Sequence, residues 1–534
     1  MDSEYDLIII GAGINGAGIA RDAAMRGLKV LLLDKGDIGG GTSAWSTRLI
    51  HGGLRYLEHG EIGLVRESLR EREILIKIAP HLVRSLPILI PIYKNARRGT
   101  NKIRLGMFVY DILSFGKSMP RHRMLSRDEV IEKIPNLEPE GLLGAAVYWD
   151  AQVRFAERLV LENVVSAVEH SARVLTYTKV TELFTRDGRS VGVVLKDQLT
   201  GEVQTAEAKV VVNAAGPWID QITDIGGGPS RLIGGTKGSH LIVPAFEGAP
   251  KEAIYVEAAK DGRPFFIIPW NKKYLIGTTD IRYDGDPDLA TITDEEIDYL
   301  LRETNRVLPA ANLDRKHILF TYSGVRPLPF TADRREGAIT RRHFIRQDSR
   351  LGNLFSIVGG KLTTYRMLSE QAVDRIEREL KVQPHPCRTA HVMLPGASLD
   401  DFNAWMKEIK QLSSESRRTT VRLIRMYGAR ATRVAELIRD ISTLAGRIDR
   451  ETGAIAAEVV YAFKHEFART LADCLLRRTM VGFNSKCGLN AVEAAAEVGR
   501  KFLGWSHVHC AREVNDYRET IERSLQRHLH NERL

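Results

Sequence analysis

The first 35 residues alternate between unbroken apolar runs and small-residue stretches. Asp6-Leu7-Ile8-Ile9-Ile10 has no polar alternation, the pattern of a strand buried on both faces. Gly11–Gly16 is a glycine-rich turn, Ile19–Arg26 has helical small-residue composition ended by Gly27, and Lys29–Asp34 is a second apolar strand. Together they predict a βαβ unit. Thr42–Thr47 is a Ser/Thr-rich loop, and Gly60–Ile78 predicts a charged amphipathic helix ended by Pro80. Strands are predicted over Ser171–Leu183, Gly192–Lys196 and Glu207–Val212, with a strand-to-turn junction at Asn213–Trp218. Short runs at His240–Val243, Phe265–Pro269 and Tyr274–Thr278 predict a second, antiparallel sheet. Asp294–Val307 predicts a helix capped by Asp294. Leu354–Val358 predicts a strand running into Gly359-Gly360-Lys361, and Leu362–Leu380 a helix. From about Ser398 the pattern is almost wholly helical, which sets a domain boundary near Pro395.

Composition narrows the class. The 534 residues are 43% hydrophobic and 27% charged, which argues against wholesale disorder and a polytopic membrane protein. No apolar run approaches the ~18 residues of a membrane span. The acidic, polar start Met1–Glu4 fits neither a signal peptide nor a transit peptide. Cys387, Cys474, Cys487 and Cys510 lie far apart with no CxxC spacing, which favours a reducing compartment. The net charge of +10 is uneven: Lys94–Arg127 holds nine Lys/Arg and one acid, Asp111. Such a surface suits an anionic substrate, anionic lipid or nucleic acid.

The strongest local signal is Gly11-x-Gly13-x-x-Gly16, after a strand and opening a helix, with Asp34 ending the next strand. Gly11 makes the tight turn, Gly13 lets the backbone approach a pyrophosphate, and Gly16 lets helix and strand pack closely. The helix N-terminus offers N–H groups to phosphate, and Asp34 can accept hydrogen bonds from ribose hydroxyls. The fingerprint alone does not choose between FAD and NAD.

Six blocks resemble the FAD-dependent glycerol-3-phosphate dehydrogenases: GAGINGAGIARDAAMRGL (11–28), STRLIHGGLRYLEHGE (46–61), KGSHLIVP (237–244), IPW…IGTTD (268–280), TYSGVRPL (321–328) and VGGKLTTYR (358–366). Their order follows that family to about residue 395. With no EF-hand loop at the C-terminus, the likeness is to the bacterial type. The resemblance implies an α/β fold, the glutathione-reductase-like FAD fold of the D-amino-acid-oxidase group, with an antiparallel-sheet substrate domain and a helical C-terminal domain. The FAD domain would be discontinuous (1–80, 150–225, 325–395), interleaved with a cap domain (81–149, 226–324) and followed by 396–534. The implied reaction is oxidation of sn-glycerol 3-phosphate to dihydroxyacetone phosphate, with electrons passing to membrane quinone. FAD would be non-covalent, since no His or Cys stands in an attachment motif.

Each block then has a chemical reading. Thr42, Ser43 and Thr47, with Ser46 and the Gly39–Gly41 amides, can hydrogen-bond phosphate and flavin polar atoms. Asn15 lies within the fingerprint block. Ala215 and Gly216 resemble the family's second dinucleotide-contacting strand end, and Val180 stands where a backbone amide would meet the adenine. Gly324 precedes Arg326. Gly360, Lys361 and Leu362 sit at a strand-to-helix junction whose N–H groups, with Lys361, would face the flavin's pyrimidine end. Arg55, Arg326, Arg341 and Lys361 match the family's positions for the substrate phosphate, where bidentate arginine suits a dianion. His240, with an ordinary pKa of about 6.5, is the candidate base. Arg326 competes for that role but is better read as a clamp, because arginine stays protonated. His51 is read as structural, and His507-Val508-His509-Cys510 lacks a partner half for zinc.

A quinone acceptor implies monotopic attachment to an anionic membrane, on the cytoplasmic face of the inner membrane. Lys94–Arg127, where basic residues interleave with Met107, Phe108, Tyr110, Ile112, Leu113 and Phe115, is the candidate. The C-terminal helices also suit a homodimer surface. Three alternatives stand: a glycerol-3-phosphate oxidase using oxygen, another D-amino-acid-oxidase-group flavoenzyme, and an FAD-containing nucleic-acid-binding protein. No RNP, zinc-finger or helix-turn-helix pattern supports the last.

Overall fold

The computed structural model describes residues 4–525, apart from 59, 95, 115, 117, 228–230, 332–338 and 398–416, and gives only the backbone of 55, 417 and 418. Its first sheet has eight strands. Glu4–Ile10 lies between Val30–Leu33 and Val203–Asn213, all parallel; Leu354–Val358 and Arg173–Leu175 extend the parallel core on either side. These central strands are apolar throughout because both faces are covered: Leu7, Ile8 and Ile9 are fully buried. Helices Ile14–Met25, Ala156–Glu169 and Tyr365–Leu380 pack together on this layer. An antiparallel meander, Thr178–Arg186, Arg189–Asp197 and the start of Val203–Asn213, branches from it.

The second sheet has ten strands and is mostly antiparallel. Thr236–Pro244 pairs with both Lys273–Gly277 and Phe320–Arg326, which aligns His240 with Tyr322 and Gly277. Leu142–Val153 pairs with Val83–Tyr93 and the short strand Leu49–Ile50. The C-terminal helices share a core with this sheet, where Trp270 meets Phe483 edge-on at 5.3 Å.

Several boundaries move from their sequence positions. The strand expected over Ser171–Leu183 breaks at Tyr177, whose φ of 55° turns the chain out of the main sheet. The helix expected from Gly60 starts at Ile62. Thr293, not Asp294, caps its helix: its side chain accepts from Glu296 N while Glu296 Oε2 accepts from Thr293 N, a reciprocal capping box. The helix expected from Leu362 begins at Tyr365, because Lys361–Thr364 closes as a turn with Thr364 N donating to Lys361 O. That turn leaves Gly359–Leu362 as loop backbone. Among the described residues no helix is long and apolar enough to cross a membrane.

Candidate active site

Two chambers meet at one wall. One, of ≈ 790 Å³, runs along the carboxyl ends of the parallel strands; the other, of ≈ 750 Å³, lies against the ten-stranded sheet. Gly324, Gly360, Lys361 and Leu362 line both, with Thr42, Trp45, Ser46 and Pro327.

The first chamber is built largely from backbone. Gly11 has φ 108°, and a Cβ there would stand 2.6 Å from Ala214 O; a Cβ on Gly16 would stand 1.9 Å from Gly11 O. Strand, turn and helix therefore close-pack only with glycine at both places. Gly13 differs: its added Cβ would meet nothing nearer than Ser43 Oγ at 3.5 Å, so that face opens on the chamber. Ser43 Oγ accepts from Ile14 N at 3.0 Å. Asp34 accepts from Ala12 N at 2.6 Å and Gly36 N at 2.9 Å, and burial raises its carboxyl in spite of both. Asn15 Oδ1 and Trp218 Nε1, on residues of this wall, are buried without a partner.

The second chamber is built from charged side chains. Arg326 donates to Asp280 Oδ1 at 2.9 Å, to Thr278 Oγ1 at 3.1 Å and to Thr279 O at 3.2 Å. Arg341 donates to the other oxygen of Asp280 at 3.0 Å and keeps a buried Nη1 without a partner. Lys361 Nζ donates to Ser68 Oγ at 2.8 Å and lies 4.4 Å from the Tyr56 ring. Burial pushes Lys361 down to about 7, with Glu67 and Glu61 opposing and Arg341 assisting. His240 packs tilted against Tyr322, ring centroids 4.7 Å apart, and its Nε2 is 3.0 Å from Thr47 Oγ1. Burial, then Arg326 and Arg48, hold this imidazole well below its ordinary value. His51, on the same wall, is pushed to about 4 by burial.

A glycerol-3-phosphate dehydrogenase from Synechocystis sp. is 46% identical over 98% of this chain and 97% of its own length. The chain belongs to the FAD-dependent glycerol-3-phosphate dehydrogenase family. An aerobic glycerol-3-phosphate dehydrogenase from Staphylococcus aureus is 34% identical over 99% of the chain and 96% of the relative. Family models described as FAD dependent oxidoreductase and as C-terminal domain of alpha-glycerophosphate oxidase match residues 6–366 and 387–510. The crystal structure of the Bacillus halodurans glycerol-3-phosphate dehydrogenase complexed with FAD aligns at a TM-score of 0.81 with 29% identity, covering 99% of this chain and 97% of that one.

The cofactor of this FAD-dependent family is FAD, and the first chamber fits it. Its open Gly13 face, its hydroxyl loop and the unpartnered Asn15 Oδ1 and Trp218 Nε1 give an extended dinucleotide both room and hydrogen-bond partners. Gly11, Gly13, Asn15, Asp34, Thr42, Ser43, Val180, Ala215, Gly216, Gly324, Gly360, Lys361 and Leu362 all line it. Gly16 packs against Gly11, the close approach expected of it, and Thr47 lines the second chamber, where its hydroxyl meets His240. The side chain of Arg55 lies outside the described residues; its backbone opens the short helix Arg55–Glu58. Arg326, Arg341, Lys361 and His240 share the second chamber. His240 does not keep the ordinary pKa expected of it, because it is buried beside two arginines. Asp280 and Thr278 were not singled out from sequence, although both lie in the IGTTD block; neither residue type announces that it will anchor an arginine.

Proposed function

We propose that this chain oxidises sn-glycerol 3-phosphate to dihydroxyacetone phosphate and delivers the electrons to a quinone at an anionic membrane surface. The observation that carries the substrate is the convergence of Arg326 and Arg341 on the two oxygens of Asp280, in the chamber that also holds Lys361. Guanidinium groups already oriented on one carboxylate present the donors that a phosphate needs. FAD, once bound, supplies the acceptor for the hydride of C2. Arg326 and Arg341 bind the phosphate, and Lys361 stands at the wall shared with the cofactor chamber. His240 is the acceptor for the C2 hydroxyl proton. It is unprotonated at neutral pH and so open to accept that proton. In this division of labour the glycine-rich segments hold cofactor and the ten-stranded sheet holds substrate.

The membrane reading rests on helix Thr100–Leu113. Its inner face buries Ile103, Met107 and Tyr110, while Leu105, Phe108 and Ile112 are 64%, 59% and 57% exposed. A helix apolar on two sides, carrying exposed Lys102 and Arg104 in its first turns, suits docking on a bilayer interface. Arg98 is not part of that display; it pairs with Glu58 and Glu257. Tyr110 links this helix to the second chamber, donating to Asp150 and accepting from Gly52 N.

The test is anaerobic addition of sn-glycerol 3-phosphate to the purified holoenzyme. Bleaching of the flavin band is expected; a yellow protein that does not bleach discards the substrate. Faster reoxidation by a quinone than by oxygen is expected, and the reverse order makes the protein an oxidase. Anionic vesicles should sediment the holoenzyme, and Phe108→Ser should weaken this about tenfold.

A further inference from the structure

The C-terminal helical unit touches the cofactor chamber at the end lined by Asp34, Tyr177 and Val180. Residues Asp473–Arg478 form a π-helical turn, in which Thr479 N donates to Cys474 O. This wide turn lets two consecutive arginines reach one carboxylate. Arg478 donates to Asp37 Oδ1 at 2.6 Å and Oδ2 at 2.8 Å, and Arg477 Nε donates to Oδ2 at 2.5 Å. Arg477 also donates to Asp473, which accepts from Tyr177 OH at 2.6 Å. Burial alone would raise the Asp37 carboxyl; Arg478 and Arg477 outweigh it and keep it ionised.

Asp37 belongs to the loop that begins at Asp34. Gly36 N donates to Asp34, Tyr177 N to Gly36 O, and Gly39 N to Ala12 O. The clamp therefore grips, from the C-terminal helices, the segment that leads from Asp34 to the hydroxyl loop. Arg477 itself lines the chamber, as do Asp516 and Thr520 of helix His507–Leu525.

We infer that the C-terminal helical unit retains FAD: Arg477 and Arg478 are positioning residues that, through Asp37, hold the adenosine-side loop of the cofactor site closed. The two units matched separately as FAD dependent oxidoreductase and C-terminal domain are thereby joined in one cofactor site. The inference is independent of the electron acceptor and of the substrate.

Fluorescence titration of apoprotein with FAD tests it. Arg477→Met, which leaves the Arg478–Asp37 pair in place, should raise the FAD Kd at least tenfold and speed FAD release. Arg477→Lys should recover part of the affinity. A merely structural clamp would lower the apoprotein Tm and leave FAD Kd and release rate within twofold of the parent, which overturns the inference. Should Arg477→Met not fold, Arg477→Gln, which keeps a donor toward Asp37, is expected to raise the FAD Kd severalfold at unchanged apoprotein Tm; an unchanged Kd there also overturns the inference.

Discussion

Two arginine pairs in this chain each close on a single aspartate, and their surroundings give them different tasks. Arg326 and Arg341 meet Asp280 on a chamber wall, with 26% and 15% of their side chains exposed. Arg477 and Arg478 meet Asp37 with 11% and 0% exposed. The first pair can exchange its carboxylate for an incoming phosphate, because water and ligand reach it. The second cannot, because Asp37 is 1% exposed and Arg478 0%, so removing one of these two charges strands the other away from water. The same three side chains thus make a receptor in one place and a rivet in the other; access to solvent decides which.

Removing one arginine from each pair separates the two tasks most sharply. Arg326→Met should lower kcat/KM for glycerol 3-phosphate by about a thousandfold with flavin content unchanged. Arg478→Met should instead destabilise the fold by about 3–5 kcal/mol, read as a fall in Tm. An Arg326→Met protein that sheds its flavin, or an Arg478→Met protein with the parent Tm, would erase the distinction.

Acid should also act on the two regions in turn. His240 resists protonation in the fold but accepts a proton at about pH 6.5 when unfolded, so its neutral burial favours folding above that pH and opposes it increasingly below. Asp37 is held below its unfolded value of about 3.9; its contribution is intact above that pH and fades as pH falls through the lower folded value. The Tm should therefore decline in two stages; His51, held at about 4, shares the first with His240, so His240→Asn should shrink that stage and leave the second unchanged. At the alkaline end, Lys361 loses its charge above about 7 in the free enzyme. The kcat/KM should fall towards tenfold per pH unit above that point, and Lys361→Arg should flatten the profile; an unchanged bend in that variant assigns it to another group. The smallest effect is expected from Asp280→Asn, which strips the internal anion from the receptor pair: inorganic phosphate should inhibit severalfold more tightly. Asp37→Asn should leave phosphate inhibition unaltered.

What could be read in the sequence was local. The turn at Gly11–Gly16 needs glycine for reasons contained in a few residues, and the parallel strands carry their burial in unbroken apolar runs. Arg326 and Lys361 came from extended motifs. The clamp on Asp37 was illegible, since Arg478 stands 441 residues away and a surface arginine and a buried one have the same letter. Thr47 was drawn toward the cofactor by its hydroxyl neighbours, and only the register of Thr236–Pro244, which brings His240 up to it, shows the other allegiance. The cap at Thr293 was readable, since Thr-x-x-Glu is the reciprocal pattern; the acid beside it was the more conspicuous residue.

The pairing of Glu4–Ile10 with Val203–Asn213 has a consequence for biosynthesis. At ~5–20 residues per second on the ribosome, the first strand waits on the order of ten seconds or more for that neighbour. The rivet at Asp37 waits longer still, for residue 478. Meanwhile Leu7–Ile10, apolar on both faces, has one unpaired edge, a natural target for holding chaperones and a site of mispairing. Flavin should therefore enter after translation, and yield on overexpression should improve when synthesis is slowed rather than when riboflavin is added.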